Sequence, residues 1–419
     1  MFVAAPAGPS ARSAAAPAGE AAVSSLSFAV TVTGRGAALA SGPFLLRVPD
    51  VGGPLRLELA RLAVTGALLR GEARLRNDST TLLSSLVLDF RSATAAKRDG
   101  SGGASSPSVP LSLRAPLELG DLLPGESTGF FPFELAPLPV GDDVPLLTLL
   151  GSVSGLALEA RTVLEGVPRP VALDSDGAGR LYVATGGVGR VLRFAAGASP
   201  GGAEVARTSS PAAGVAVRRR NGDLHVSTGG RSIEVWRRGR AKPFEVDAGR
   251  PVTALRFDAR GGLRAAAGNA VLSFLESRPG RARALGPEGS AVLSFDADPR
   301  GALYAVVREG EMRRLVVDGP DGPGPFGPSL ASGLPVACRL DGRGGLWVAA
   351  IAAAPGDAVL LRLDAAGALR GVLSRAALAL LLGAEEDAPV PAPVDLAPGA
   401  EGRLHVLLED GSVFAVRPF

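Results

Sequence analysis

Few residues of this chain have the type and spacing that chemistry needs. Among 419 residues there are two histidines, His225 and His405, and one cysteine, Cys338. Both histidines directly follow a leucine that recurs along the second half of the chain. Tyr182, Arg264, Tyr304 and Trp347 fill the same slot in other copies. A slot that exchanges His with Tyr and Trp is selected by packing, so neither histidine is expected to serve as a general base or metal ligand. Cys338 lies in the apolar stretch Val336-Ala337-Cys338-Arg339-Leu340, with no histidine nearby in sequence. That context describes a buried thiol, and a single cysteine rules out an intramolecular disulfide or a Cys-rich metal site. There is no Gly-x-Ser-x-Gly elbow, Walker A loop or paired-Cys spacing. Gly186-Gly187-Val188-Gly189 has the glycine content of a phosphate loop, but it reads as a strand-to-strand hairpin with no helix after it to bind an anion. Asp174-Ser175-Asp176-Gly177 lacks the downstream bidentate Glu of a calcium loop and reads as a turn.

The charged outlier is a basic stretch. Between Val205 and Arg250 there are ten basic residues (Arg207, Arg218, Arg219, Arg220, Arg231, Arg237, Arg238, Arg240, Lys242 and Arg250) and four acids (Asp223, Glu234, Glu245 and Asp247). Arg218, Arg219 and Arg220 form one cluster, and Arg237, Arg238, Arg240 and Lys242 a second. Such clusters on turns or strand ends describe either a solvated edge or a patch for a polyanion. The whole chain carries a formal charge of only +3, which points away from nucleic acid as the partner. Only Lys97 and Lys242 are lysines, a bias better ascribed to coding composition than to a ligand.

The elements that must position these residues repeat. Gly-x-Leu recurs with its leucine at Leu181, Leu224, Leu263, Leu303, Leu346 and Leu404, at intervals of 43, 39, 40, 43 and 58. A period near 40 is that of propeller blades. Each copy opens with an apolar strand such as Pro170-Val171-Ala172-Leu173-Asp174, turns through Gly into the leucine strand, and turns again through pairs such as Gly229-Gly230 or Asp410-Gly411. Stacked blades cover their middle strands on both sides, which explains continuously apolar runs such as Leu181-Tyr182-Val183-Ala184. The Gly two residues ahead of each leucine suits a turn position with positive φ. The long last interval predicts an insertion over about 371–392, with a short helix capped by Ser374 and stopped at Gly383, followed by a solvated acidic loop at Glu385-Glu386-Asp387. The final copy lacks an outer strand. The stretch 156–164 is expected to supply it beside 412–417, joining both ends of the domain in one sheet.

The run Pro170-Val171-Ala172-Leu173-Asp174-Ser175-Asp176-Gly177, continued by Gly179-Arg180-Leu181-Tyr182-Val183-Ala184, resembles a repeat of the NHL and gluconolactonase-like six-bladed propellers. The resemblance covers about residues 155–419. It implies a ligand site at the axial ends of the blade strands, and in the enzymes of that group a divalent metal held there by Glu, Asn and Asp. The corresponding places here hold Arg169, Thr185, Thr228, Arg250, Asn269, Arg308 and Glu309. Only Asn269 and Glu309 offer oxygen ligands, and the arginines would repel a cation, so no metal and no other cofactor is expected. Lyases of this fold rely on more histidines than the chain has.

Residues 25–154 alternate with period two. Ser27–Thr33, Leu55–Leu59, Gly71–Arg76, Leu86–Phe90, Val109–Leu113 and Phe130–Leu135 read as strands, with no helical pattern, which predicts an antiparallel β-sandwich. Thr94–Ser108 reads as a surface loop. Arg74-Leu75-Arg76-Asn77-Asp78-Ser79, with Leu122-Leu123-Pro124-Gly125-Glu126-Ser127, resembles the immunoglobulin-like accessory domains of bacterial surface proteins. Residues 1–24 form an Ala/Pro-rich leader or spacer without a signal-peptide core.

The sequence thus predicts an all-β protein, a sandwich followed by a six-bladed propeller, that does not span a membrane. The expected role is non-catalytic binding or scaffolding toward a protein or polysaccharide partner, in the periplasm or at the cell surface. A metal-dependent propeller hydrolase or lactonase, and a structural subunit of a surface assembly, are the alternatives. A cluster of three carboxylate or amide oxygens on the propeller axis would favour the enzyme.

Overall fold

A computed structural model describes residues 26–33, 43–47, 54–65, 68–96, 108–109, 112–113, 117–136, 146–158 and, except for short loops, 162–418. The excepted loops are 196–200, 238–243, 276–277, 320–321, 328–332, 342–343, 353–357, 383–389 and 400–401. The chain divides into two compact units, one of Met1–Leu158 with Pro418–Phe419 and one of Glu159–Arg417.

The first unit is built from antiparallel strands. Pro43–Arg47, Pro54–Thr65, Leu68–Asn77, Phe131–Ala136 and Ser112–Leu113 pair in that order. Leu82–Ala96 pairs with Leu146–Leu158, Ser108–Val109 and Leu117–Leu122, and Leu26–Thr33 pairs with Leu146–Leu158. Alternate residues Leu55, Leu57 and Leu59 on one strand and Leu86, Leu88 and Phe90 on another are buried. The Phe90 ring meets that of Phe133 at 4.8 Å between centroids. Asn77 is the polar hinge of this unit. Its Nδ2 donates to the carbonyls of Thr81 (2.8 Å) and Leu122 (3.0 Å), and its Oδ1 accepts from Ser79 N–H (3.0 Å). The Gly125 and Glu126 backbone closes on the Asn77 main chain, so the two motifs quoted above form one knot. Of the expected loop Thr94–Ser108, Thr94–Ala96 continue a strand and Ser108 pairs with Thr94. Residues 97–107 lie outside the described residues.

The second unit consists of consecutive four-stranded antiparallel meanders, an arrangement consistent with a β-propeller. Sheet I is Pro170–Ser175, Leu181–Thr185, Arg190–Phe194 and Ala203–Arg207. Sheet II is Gly214–Val217, Leu224–Ser227, Ser232–Trp236 and Phe244–Asp247. Sheet III is Ala254–Phe257, Leu263–Ala267, Ala270–Leu275 and Arg278–Ala284. Sheet IV is Ala291–Ala297, Leu303–Glu309, Met312–Gly319 and Gly322–Pro325. Sheet V is Gly333–Leu340, Leu346–Ala352, Ala358–Leu363 and Leu369–Ser374. Sheet VI is Pro393–Pro398, Leu404–Leu408 and Ser412–Pro418, with Thr162–Val163 as its fourth strand, Thr162 opposite Val413.

Apolar clusters fill the spaces between neighbouring sheets. One joins sheets I and II through Val183's neighbour Ala184, Val191, Val215 and Val226, and another joins II and III through Ile233, Val235, Leu255 and Ala265. Others join III with IV, IV with V, and VI with I. The first strand of each sheet packs beside the first strand of the next, and the first strand of VI returns to that of I. The glycines ahead of the repeat leucines all have positive φ: Gly179 +75, Gly222 +76, Gly261 +78, Gly301 +95, Gly344 +84 and Gly402 +78.

Two sequence expectations are refined. Of the stretch 156–164, Leu156–Leu158 pairs with Leu82–Ser84 in the first unit, and Thr162–Val163 pairs with Ser412 and Val413 in sheet VI. Leu369–Ser374 is the fourth strand of sheet V, so the inserted segment starts after it. There Ser374 accepts a hydrogen bond from Ala377 N–H (3.1 Å) and caps a helix over Arg375–Leu381. Gly383 and Glu385-Glu386-Asp387 lie outside the described residues.

The turn glycines yield a prediction. A Cβ on Gly301 would meet nothing within 4 Å, so the cost of Gly301→Ala is that of the backbone conformation alone. The substitution is expected to destabilise the second unit by about 1–2 kcal/mol, read as a lowered urea midpoint.

Candidate functional site

The first strand of each sheet pairs with a second strand on one side only, which leaves a row of backbone N–H groups facing the axis. Side chains satisfy part of this row. Asp395 of sheet VI accepts from Leu173 N–H of sheet I (2.9 Å), and Asp174 of sheet I accepts from Val217 N–H of sheet II (2.8 Å). Asp296 of sheet IV accepts from Leu340 N–H of sheet V (3.0 Å), next to a bond from Cys338 N–H to Ser294 Oγ (3.2 Å). Two buried guanidiniums offset part of the charge of these three carboxylates. Arg256 Nη2 reaches Asp395 Oδ1 at 2.5 Å, Arg339 Nη2 reaches Asp174 Oδ1 at 2.8 Å, and Arg339 Nε lies 3.7 Å from Asp296. Burial opposes the charge on Arg256, but the carboxylates of Asp395 and Asp174 outweigh it and hold the group above its ordinary pKa. For Arg339, burial and then the charge of Arg256 beside it win, and its pKa falls. The sequence reading missed this lattice. Asp174, treated there as a turn residue, is an axial residue, and the signal was available: Asp174, Arg256, Asp296 and Arg339 each stand seven residues ahead of a repeat leucine.

The axis therefore does carry three carboxylates, Asp174, Asp296 and Asp395. Each is committed to an N–H group and faces a guanidinium, which is poor chemistry for a divalent cation. A small cavity of about 50 Å³ remains beside Arg256 and Asp395, and all six first strands line it. No cluster of three His, Cys, Asp or Glu side chains suited to a metal occurs among the described residues. Burial, with the Asp296 carboxylate adding to it, pushes the Cys338 thiol up to about 12, so it is not a nucleophile.

A larger cavity of about 380 Å³ opens between sheets I and II. The turn 176–180 of sheet I and the turn 219–222 of sheet II form its rim, with Arg193, Trp236 and Arg237 along its wall. The repeat pattern breaks here. In sheets I, III, IV and V an Asp opens this turn and its Oδ1 accepts the N–H four residues on: Asp176 from Arg180 (3.0 Å), Asp258 from Gly262 (2.8 Å), Asp298 from Ala302 (2.8 Å) and Asp341 from Gly345 (2.7 Å). In sheet II the opening residue is Arg218. The turn closes from Arg218 N–H to Asp223 O, one residue longer than the Asp176 N–H to Arg180 O turn of sheet I. A carboxylate that stabilises the turn in four other sheets has given way to cations here, whereas in sheet VI it has given way to the uncharged Gly399. Such a local departure from a repeated rule is a mark of function.

The cavity is lined by Arg180, Arg193, Arg219, Arg220 and Arg237 against one carboxylate, Asp176. That carboxylate is spent: it holds Arg180 Nε at 2.6 Å and the Tyr182 hydroxyl at 3.1 Å. Burial works against the Asp176 charge, but the Arg180 N–H, the Arg180 guanidinium and the Ala178 N–H prevail and keep its pKa below the usual carboxylate range. Burial, reinforced by Asp176, raises the pKa of Tyr182. Among the described residues no carboxylate forms an ion pair with Arg193, Arg219 or Arg220. The Trp236 Nε1–H is buried without a partner. Arg218 does not line the cavity but stacks on Phe257, 5.2 Å from the ring centroid.

Of the seven residues expected at the axial strand ends, Thr185, Thr228, Asn269, Arg308 and Glu309 sit where second strands turn into third strands, and Arg169 and Arg250 sit just ahead of first strands. Thr185 is buried and its Oγ1 accepts from Arg190 N–H (3.2 Å). The Asn269 amide donates to Gly286 O (3.0 Å), and Glu309 pairs with Arg314. Arg169, Arg250 and Arg308 are exposed and Thr228 is half-buried. None of the seven lines either cavity. Of the basic patch, the structure brings Arg219, Arg220 and Arg237 to one cleft, while Arg238, Arg240 and Lys242 lie outside the described residues.

His225 is buried and meets Phe257 edge-on at 5.0 Å. Burial, then the charge of Arg218, lowers its pKa to about 4.

No protein-family profile and no curated protein sequence matches the chain. Among solved structures it is similar to a streptogramin B lyase, at 12% identity over 63% of this chain and 98% of that one, with a TM-score of 0.44. It is also similar to a PQQ-bound aldose sugar dehydrogenase from Streptomyces coelicolor, at 14% identity over 63% and 98% with a TM-score of 0.48. A protein of unknown function from Bacteroides thetaiotaomicron matches at 11% identity over 89% and 99%, TM-score 0.46. At these values no chemistry carries over to this chain.

Two predictions follow from the buried charges. Asp395→Ala strands Arg256 and is expected to cost about 3–5 kcal/mol, whereas Asp247→Ala, which loses an exposed pair with Arg231 and an exposed hydrogen bond from Gly249 N–H, lowers the unfolding midpoint far less. The second concerns His225. Because it is neutral in the fold down to about pH 4, protons bind the unfolded chain first as pH falls below 6.5. Stability is therefore lost between pH 6.5 and about 4, by roughly 3 kcal/mol. Proton NMR of the two imidazoles should show one titrating near 4, absent in His225→Phe.

Proposed function

We propose that this chain is a non-catalytic binding protein that holds an acidic partner in the cleft between sheets I and II. In this reading the second unit is a six-bladed propeller over about 155–419, related in plan to the NHL and gluconolactonase-like repeats. The first is an immunoglobulin-like sandwich over about 25–154 that serves as an attachment module. The site of action is the periplasm or cell surface, where acidic polysaccharides and acidic protein surfaces are plentiful.

One observation carries the reading: five guanidiniums line a cleft whose single carboxylate is already engaged. Guanidinium forks match the geometry of oxyanions and stay charged at any ordinary pH. The metal-dependent hydrolase has less to rest on, because Asp174, Asp296 and Asp395 are each tied to backbone N–H groups and arginines. The seven residues at the opposite strand ends remain a second place for ligand contact, with Arg169, Arg250 and Arg308 exposed there.

Binding of a polyanion such as polygalacturonate, measured by calorimetry in 0.05 M salt, is expected to weaken steeply as salt is raised. The double substitution Arg219→Ala with Arg220→Ala should reduce affinity about tenfold or more. Unchanged affinity in that variant would refute the cleft as the site.

A further inference from the structure

The cleft is specific about hydrogen-bonding chemistry, and this narrows the ligand. Its lining offers donors almost exclusively. The arginines have no acceptor, the Tyr182 hydroxyl is turned to Asp176, and Asn221 is occupied at both ends. Its Nδ2 donates to Asp223 Oδ2 (2.8 Å) and its Oδ1 accepts from Asp223 N–H (3.1 Å). A ligand must therefore bring acceptors. The wall is not purely polar, however. Trp236 packs on the apolar cluster shared by sheets I and II together with Val205, and both residues line the cleft. Its Nε1–H is buried without a hydrogen-bond partner among the described residues and is closed to the cleft, so what the indole offers a ligand is ring surface and not its donor. A simple inorganic anion would use the arginines and leave the indole idle. A nucleic-acid strand would need a groove with several stacking platforms, and this cavity offers one indole and one committed phenol.

We infer that the cleft is a subsite for one acidic sugar residue, its ring against the Trp236 indole and its carboxylate or sulfate on Arg219 and Arg220. The cavity, about 380 Å³, falls within the range of about 300–1,000 Å³ usual for small-ligand pockets. Turn 219–222, lengthened by one residue over its counterpart in sheet I, brings two guanidiniums to the rim facing the indole wall. This inference rests on the acidic-partner reading above and adds the sugar ring and the role of Trp236.

The test is calorimetric titration of the full chain with an oligogalacturonate, a sulfated oligosaccharide, inorganic tripolyphosphate and single-stranded DNA at matched ionic strength. It is repeated with Trp236→Leu, which keeps apolar bulk in the sheet and removes the aromatic face. The expected result is tighter binding of one or both acidic sugars than of tripolyphosphate, with a loss of about tenfold in Trp236→Leu for sugars only. Preference between the two sugars distinguishes carboxylate from sulfate as the group recognised. Tripolyphosphate or DNA binding at least as tightly, with no effect of Trp236→Leu, overturns the sugar inference and leaves the acidic-partner reading standing. If nothing binds and Arg219→Ala changes nothing, both fall. Circular dichroism of each variant confirms that it is folded.

Discussion

An inner strand with one unpaired edge is the constraint on which the second unit depends. Six such strands meet around an axis too narrow for water to serve every N–H. Asp174, Asp296 and Asp395 bridge to the next sheet, and Arg256 and Arg339 offset two of their three charges across the axis. In a low-dielectric interior such a lattice is stabilising only when nearly every member is satisfied. The consequence is functional as well as structural. Axial carboxylates that are each engaged by a backbone N–H and faced by a guanidinium offer a cation little free ligand chemistry, which directs attention to the gaps between sheets.

The gap between sheets I and II is where the repeat grammar yields. Asp at the head of the turn is a local solution: one carboxylate accepts from the N–H of a tight turn whose Gly takes positive φ. Sheets I, III, IV and V keep it, and sheet VI has Gly399 there. Sheet II gives up the carboxylate for Arg218, adds a residue and crowds Arg219 and Arg220 at the rim. The stability lost in that turn is regained in part by Arg218 stacking on Phe257 and by the Asn221–Asp223 pair.

Much of the frame was legible in the sequence, because it is local. The Gly-x-Leu spacing fixed the second strands, the positive-φ glycines and the long fifth interval, and the helix cap at Ser374 followed from ordinary capping chemistry. The N-terminal strands followed from alternation. What was not legible is what depends on several copies converging. Asp174 and Arg339 are 165 residues apart and look like a turn residue and a strand-end cation until a ring brings them together. The basic run was visible as composition, but its division was not: Arg218 serves packing while Arg219, Arg220 and Arg237 face the cleft. Trp236 was not singled out at all, because which third-strand residue lines a gap between sheets has no signature in sequence.

A crystal structure grown with an oligogalacturonate or a sulfated oligosaccharide addresses the central claim most directly. The account predicts ordered ligand between the Trp236 indole and the guanidiniums of Arg219 and Arg220. Ligand bound instead on the opposite face, around Asn269 and Glu309, with the cleft empty, would contradict it.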